Sequence, residues 1–247
     1  MFSTVKRTAK KVWVSVALLS MEVITLTLLF LTALTAFLFL AENISKNRKF
    51  QFDQNAFAFL KNLVSDFNTD VMEFFSFIGS HTFLIPANLL LILYFLFVRK
   101  HRWYSITVPV VSISSLLLML FLKYFFHRDR PMEPLMNVAR GYSFPSGHAL
   151  MSVTFYGLLI FLVWQKKHTG RFWKMLLTIL FIFLILMIGT SRIYLKVHYA
   201  SDILAGYSMG FVWLLLSLWI TGRMEIYSKV KVDPIVQQEI PVDKIST

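Results

Sequence analysis

Residues 104–131 read YSITVPVVSISSLLLMLFLKYFFHRDRP. Tyr104 to Leu122 carries no charge, and the stretch then ends on Lys123, His127, Arg128, Asp129 and Arg130. An uncharged run of about 20 residues is what an α-helix needs to cross a ~30 Å hydrocarbon layer. Lipid offers no partner for backbone N–H and C=O groups, so a spanning segment must satisfy them within a helix or a closed barrel. The stretch therefore predicts a membrane helix over 104–126 that delivers ionisable side chains to one membrane face. Pro109 lies in its early turns, a position that membrane helices tolerate.

The pattern recurs. Spans are expected at about 14–41, 82–98, 104–126, 148–165, 173–190 and 203–221, with Pro86 in the early turns of the second. Composition agrees, because 57% hydrophobic residues, 15% charged residues and 25 phenylalanines give more apolar surface than one soluble core could hide. Trp13, Trp103, Trp164, Trp173 and Trp219 fall near span ends, where amphipathic indoles prefer to sit. The first apolar run, 12–41, would reach roughly 45 Å as a helix, too long for the hydrophobic part of a signal peptide, and it reads as a retained anchor.

The formal charge of +12 does not point to nucleic acid, because the basic residues sit in short clusters at the ends of apolar runs. Lys6, Arg7, Lys10 and Lys11 precede the first span. Arg99, Lys100 and Arg102 join the second to the third. Lys166, Lys167, Arg171 and Lys174 join the fourth to the fifth, and Arg223, Lys229 and Lys231 follow the sixth. All four clusters fall on one side, so the positive-inside rule places both termini in the cytoplasm and residues 42–81, 127–147 and 191–202 outside. Cysteine is absent, which excludes disulfides and thiolate metal sites.

Residues 53–80 do not read as a span. Ala56, Leu60, Leu63, Phe67, Val71, Phe74 and Ile78 recur at three and four residues with Lys61, Asp66, Asp70 and Glu73 between them, predicting an amphipathic helix or helix pair on the outer surface. Such an element serves either as a lid or lipid-entry wall or as plain interfacial packing. The expected fold is thus an all-α polytopic membrane protein: one six-span domain over 1–231, an outer amphipathic segment between the first two spans, and a loose cytoplasmic tail over 232–247.

The ionisable residues on the outer side gather in three stretches, 123–131 (KYFFHRDRP), 145–148 (PSGH) and 191–202 (SRIYLKVHYASD). His198 and Asp202 stand four apart at the start of the last span, a spacing that on a helix puts both on one face. A carboxylate that holds one imidazole nitrogen fixes the tautomer and frees the other nitrogen as a nucleophile. Alone, the pair would serve as well as an interfacial ion pair; its company decides. Arg192 can grip phosphate oxygens with two parallel donors. Lys123 and Arg130 bring two more positive charges to the same mouth. Three cations beside two histidines can neutralise the oxygens of a phosphoryl group in transfer. The PSGH stretch opens the fourth span, so its backbone N–H groups are unpaired and form an anion site. Gly147 permits close backbone approach, the Ser146 hydroxyl can donate, and His148 is placed to protonate a leaving oxygen.

No His, Asp or Glu cluster of ligand spacing appears outside these stretches, so neither a metal nor another cofactor is expected. His81, His101 and His168 read as solvated loop residues. His127 and Arg128 read as interface anchors or as substrate contacts, Arg140 and Tyr142 as candidates for the pocket lip, and Gly206 and Gly210 as a close-packing helix face.

The spacings K-x6-R-P, P-S-G-H and S-R-x5-H-x3-D, in this order, resemble the signature of the type 2 phosphatidic acid phosphatase superfamily. The resemblance is close over residues 123–206, including SFPSGHA and HYASDILAG; the first hundred residues match in layout only. Pro131 is followed by Met132, Glu133 and Pro134 rather than by a second Arg-Pro pair, so only Arg130 is carried over there. The resemblance implies that His198 attacks phosphorus and forms a phosphohistidine, with Asp202 orienting it. It implies that His148 acts as general acid and then as base. Lys123, Arg130, Ser146, Gly147 and Arg192 would bind the phosphoryl oxygens.

The leading expectation is hydrolysis of a phosphate or diphosphate ester on a membrane lipid at the outer face of the membrane. Undecaprenyl diphosphate, phosphatidic acid, phosphatidylglycerophosphate and lipid A phosphate are the candidate substrates. A lipid phosphotransferase would carry identical motifs and differ only in its acceptor. A transporter or anion-binding protein would set its ionisable groups near the bilayer midplane on broken helices. Here they gather at one set of helix ends. A haloperoxidase with the same anion pocket fits poorly with six membrane spans.

Overall fold

A computed structural model describes residues 2–132, 134–135 and 141–232, with side chains from residue 21 onward. Glu133, Arg140 and most of the expected tail, 233–247, lie outside the described residues, and so does the expectation that Arg140 lines a pocket lip. Within the described residues the chain is helical: α1 (Phe2–Ser45), α2 (Gln51–Lys61), α3 (Asp66–Ile78), α4 (His81–Leu93), α5 (Arg102–Phe126), α6 (Gly147–Gln165), α7 (Arg171–Tyr194) and α8 (Ala200–Tyr227). Short π-helical turns extend α4 over Tyr94–Val98 and α8 over Ser228–Val232.

Among the described residues, six helices are long and apolar enough to cross a membrane: Met21–Ser45, His81–Val98, Arg102–Phe126, Gly147–Gln165, Arg171–Tyr194 and Ala200–Val232. Their order is the expected one, but the last two run further than their apolar cores. α7 continues to Tyr194 and so carries Arg192 in its final turn. α8 continues past Arg223, where Arg102 Nη2 donates to Ser228 Oγ at 3.0 Å. Hydropathy marks where lipid stops; hydrogen bonding continues the backbone beyond it.

α6 is the hub. Half of its span is buried, against 11% for α7, because it lies between α7 and α8. The contact with α8 is backbone to backbone. A Cβ placed on Gly206 would stand 2.8 Å from the Ser146 carbonyl oxygen, and one on Gly210 would stand 2.8 Å from that of Leu150. The expected glycine face is therefore where the two helices meet. α1 closes the other side of α8, with Phe37, Leu40, Ala41 and Ile44 packed on Leu122, Phe144 and Ala205.

The segment after α1 is indeed a helix pair, α2 and α3, and its sequence-derived apolar face meets the bundle only in part, through residues such as Leu60 and Ile78. Leu63, Phe67 and Phe74 are exposed, while Leu60, Met72 and Phe75 pack inward against the clusters of α6 and α7. An element at a membrane edge has apolar surroundings on both sides, so periodicity does not tell which side is protein. Three polar ties hold α3. Tyr194 Oη lies 3.1 Å from Thr69 Oγ1, Tyr156 Oη donates to the Ile78 carbonyl at 3.0 Å, and Arg192 donates to Ser76 Oγ.

The glycine contacts make a direct test. Gly206→Ala and Gly210→Ala should each cost about 1–3 kcal/mol by overpacking against backbone that cannot yield. Gly222→Ala, with nothing within 4 Å of the added carbon, should be neutral. Thermal melts in detergent of the three variants would check this.

Candidate active site

Three breaks in helix gather the site at one end of the bundle. α5 stops at His127, which takes a left-handed conformation (φ 48°) as C-cap and donates its N–H to the Lys123 carbonyl. α6 starts at Ser146, whose Oγ accepts from the Ala149 N–H at 3.5 Å. α7 stops after Tyr194, and residues 195–199 turn the chain back into α8. The Ser146 N–H donates to the Asp202 carbonyl oxygen at 3.1 Å and so locks the starts of α6 and α8 together.

His198 therefore precedes α8 instead of lying on it, which corrects the single-helix-face expectation. Its partner, Asp202, occupies the third residue of the helix and accepts the Tyr199 N–H on Oδ2 at 2.9 Å, the usual job of an acidic residue in a first turn. The pairing survives by another route: the turn brings His198 Nδ1 to 3.5 Å from Asp202 Oδ2 and 3.4 Å from Ser143 Oγ. His198 Nε2 faces the other way, 3.5 Å from Arg130 Nη1. Burial pushes the His198 imidazole down to about 4, against the opposing pull of Asp202. At neutral pH it is uncharged, with Nδ1 turned to the carboxylate and Nε2 turned to the cations.

Those cations converge as expected. Lys123, Arg130 and Arg192 are close enough to one another to interact electrostatically, and His148 feels both Arg192 and Lys123. Each is held by backbone or hydroxyl. Lys123 Nζ donates to the Tyr142 carbonyl at 2.5 Å. Arg130 donates from Nε to the Gly141 carbonyl at 2.9 Å and from Nη1 to the Val197 carbonyl at 3.0 Å. Arg192, only 2% exposed, reaches Ser76 on α3. Ser146 is buried and Gly147 half-buried, both at the open end of α6, and His148 follows them. The end of α3 lies against that histidine, since a Cβ on Gly79 would sit 3.4 Å from its Cδ2. All eight predicted residues thus lie at this end of the bundle. Ser191, the other polar residue of the third motif, spends its hydroxyl on the Ile188 carbonyl of its own helix at 2.7 Å.

Some participants went unnoticed in the sequence. Arg128 is no interface anchor: it bridges Asp202 (2.5 Å) and Asp53 (3.2 Å), with its side chain 15% exposed. Asp53 had a readable signal, since it lies three residues before Ala56 and seven before Leu60, a charge on the apolar side of α2. Ser143, which donates to Asp202 Oδ2, and Ser76 had none. His81 and His168 are exposed as expected. His101 instead caps α5, accepting the Tyr104 N–H at 3.3 Å. The exposed Tyr142 stacks edge-on against His127.

Known proteins resemble the chain in sequence and in fold. A family model described as the PAP2 superfamily matches residues 104–225. Phosphatidylglycerophosphatase B of Bacillus subtilis (strain 168) is 32% identical over 155 residues, covering 62% of this chain and 73% of that protein. A putative undecaprenyl-diphosphatase of Escherichia coli (strain K12) is 25% identical over 162 residues, covering 63% and 77%. Among solved structures, the transmembrane PAP2-type phosphatidylglycerolphosphate phosphatase from Bacillus subtilis superposes with a TM-score of 0.69 at 23% identity, over 78% of this chain and 96% of that one. LpxE of Aquifex aeolicus gives 0.55 at 24%, over 69% and 97%. At those identities the structures speak for the fold alone. The matched sequence shows the family: the chain belongs to the PAP2 superfamily and is a multi-pass membrane phosphoric ester hydrolase.

Proposed function

We propose that the protein hydrolyses the terminal phosphate of a membrane lipid phosphate or diphosphate through a phosphohistidine on His198. The observation that carries the reading is the orientation of that ring: uncharged, Nδ1 toward Asp202 and Nε2 beside Arg130. Nε2 attacks phosphorus as the P–O bond to the lipid breaks, and the leaving oxygen takes a proton from His148. His148, now a base, removes a proton from water, which attacks the phosphohistidine; the P–N bond breaks and inorganic phosphate leaves. Lys123, Arg130 and Arg192 carry the charge of the phosphoryl oxygens in both steps, with Ser146 and Gly147 offering donors at the start of α6. In this scheme the three side-chain cations do the electrostatic work that a metal ion does elsewhere.

The relatives' names support a lipid substrate and divide over which: phosphatidylglycerophosphate in one, undecaprenyl diphosphate in the other. The basic clusters at the opposite end of the bundle support a site facing the outside, with both termini in the cytoplasm. Pinning of α3 through Ser76 and Tyr194, and of α2 through Asp53, favours a fixed wall beside the lipid entry over a swinging lid.

Purified protein in detergent should release phosphate from undecaprenyl diphosphate, phosphatidate or phosphatidylglycerophosphate, undiminished by EDTA. His198→Ala should release none, and a folded His198→Ala variant with near-wild-type turnover would end the mechanism. Acid quench of the wild type during turnover of a ³²P-labelled substrate should leave acid-labile label on the protein. Phosphate release that depends on an added alcohol acceptor would move the assignment to a transferase.

His148→Ala should lose about 10²–10⁴-fold, least with good leaving groups. A uniform loss across leaving groups would count against its role as acid. Arg192→Lys should also fall sharply, because a point charge cannot replace the fork that reaches phosphate and Ser76 together. Because the His198 imidazole is held down to about 4, its proton interferes only below that pH. The limb of the kcat/KM profile that it sets should lie near pH 4, well under the ordinary imidazole value of about 6.5.

A further inference from the structure

Two charged side chains have no place in the chemistry above. Asp53, on α2, is 2% exposed. Arg128 lies between the last turn of α5 and Arg130. Asp53 Oδ1 accepts the Ser201 N–H at 2.7 Å, and Oδ2 accepts from Ser201 Oγ at 2.7 Å and from Arg128 Nη2 at 3.2 Å. Arg128 Nη1 donates to Ser201 Oγ at 2.7 Å and to Asp202 Oδ1 at 2.5 Å. The guanidinium also lies over the Tyr199 ring, 4.1 Å from its centroid. A carboxylate from the outer helix thus caps the first turn of α8 and holds the arginine that holds Asp202.

The division of labour on Asp202 gives this network its meaning. Oδ2 faces Ser143, the Tyr199 N–H and His198; Oδ1 faces Arg128. A carboxylate is a rigid plane, so the direction of Oδ2 is set by what grips Oδ1. Charge matters too, since the pull of Asp202 on the His198 proton is shared with Arg128. Without that cation the full charge of Asp202 would fall on the imidazole.

We propose that Arg128 is a positioning residue for His198, acting through Asp202, and that Asp53 makes the outer helix α2 part of the same apparatus. The inference rests on the roles given above to His198 and Asp202. Arg128 sets the orientation of the nucleophile by geometry and its proton affinity by charge, and the two effects separate in variants. The other charged and titratable groups around His198 are Lys123 from α5, Arg130 from the following loop, His148 from α6, Arg192 from α7 and Asp202 from α8. None is altered in the test.

A cavity of about 390 Å³ bounded by Arg48, Phe50, Asp53, His127, Arg128 and Tyr199 gives the guanidinium an open side. It makes chemical rescue feasible. Purified Arg128→Met, Arg128→Lys and Asp53→Asn would be assayed on one lipid phosphate beside wild type and His198→Ala, with kcat and KM measured across pH. Arg128→Met should lower kcat by about 10–100-fold, the size of a lost charge-assisted hydrogen bond, and leave KM within about twofold. Its acid limb should move to higher pH, because the proton on His198 is no longer opposed. Added guanidinium ion should restore part of kcat. Arg128→Lys keeps the charge and should keep the limb while losing part of kcat. Asp53→Asn removes a negative charge, so its limb should stay or move down, with a smaller fall in kcat.

Wild-type kcat in Arg128→Met would overturn the proposal. So would a loss confined to KM, which would make Arg128 a substrate ligand, or a loss of kcat with an unmoved limb and no guanidinium rescue, which would make it a structural tie. Activity in His198→Ala would instead remove the mechanism on which the proposal stands.

Discussion

Asp202 has no exposure to solvent, and a carboxylate taken out of water demands a partner for each oxygen. Two connections, the α5–α6 loop and the turn between α7 and α8, are arranged to answer it. The turn before α8 supplies the Tyr199 N–H, the loop before α6 supplies Ser143, the loop after α5 supplies Arg128, and His198 completes the set. Arg128 in turn requires Asp53, which fixes α2 over the same end of the bundle. A second demand of the same kind holds α3, where Arg192 is buried against Ser76. The outer helices are therefore committed by polar ties at the site more than by their apolar surfaces, several of which remain exposed.

Beneath this layer the packing is unforgiving. α6 and α8 approach until Gly206 and Gly210 touch the carbonyls of Ser146 and Leu150, and Ser146 is also joined to Asp202 through the backbone. Ser146, proposed to donate a hydrogen bond to the phosphoryl group, and Asp202, the proposed partner of the nucleophile, thus share a single rigid junction. Interior contacts between small residues replace the hydrophobic drive that lipid cannot supply.

Much of this was legible in the chain. Runs such as 104–122 announce membrane helices because lipid excludes charge along about 20 residues, and the motifs announce phosphate because cations, a capped helix start and two histidines have few other uses together. What stayed hidden depended on contacts between distant segments. His198 and Asp202 were rightly paired for the wrong reason: spacing suggested a shared helix face, whereas a turn and a first-turn carboxylate make the contact. Arg128 read as an interface anchor or a substrate contact because its partner, Asp53, is 75 residues away. Asp53 itself broke the apolar stripe of α2, and such a break is a clue to a buried partner. Ser76 broke nothing, and no local pattern pointed to it. The boundaries of α7 and α8 were drawn short because hydropathy falls before the helix does.

The position of the site at one set of helix ends, away from the bilayer midplane, bears on the direction of the proposed reaction. Of the two products, the lipid fragment is held by hydrocarbon and inorganic phosphate is soluble only in water. Cleavage at the boundary hands each product to a different phase. The recombination rate then falls with the dilution of phosphate into bulk solvent, so turnover is driven forward by partition without any coupled energy source.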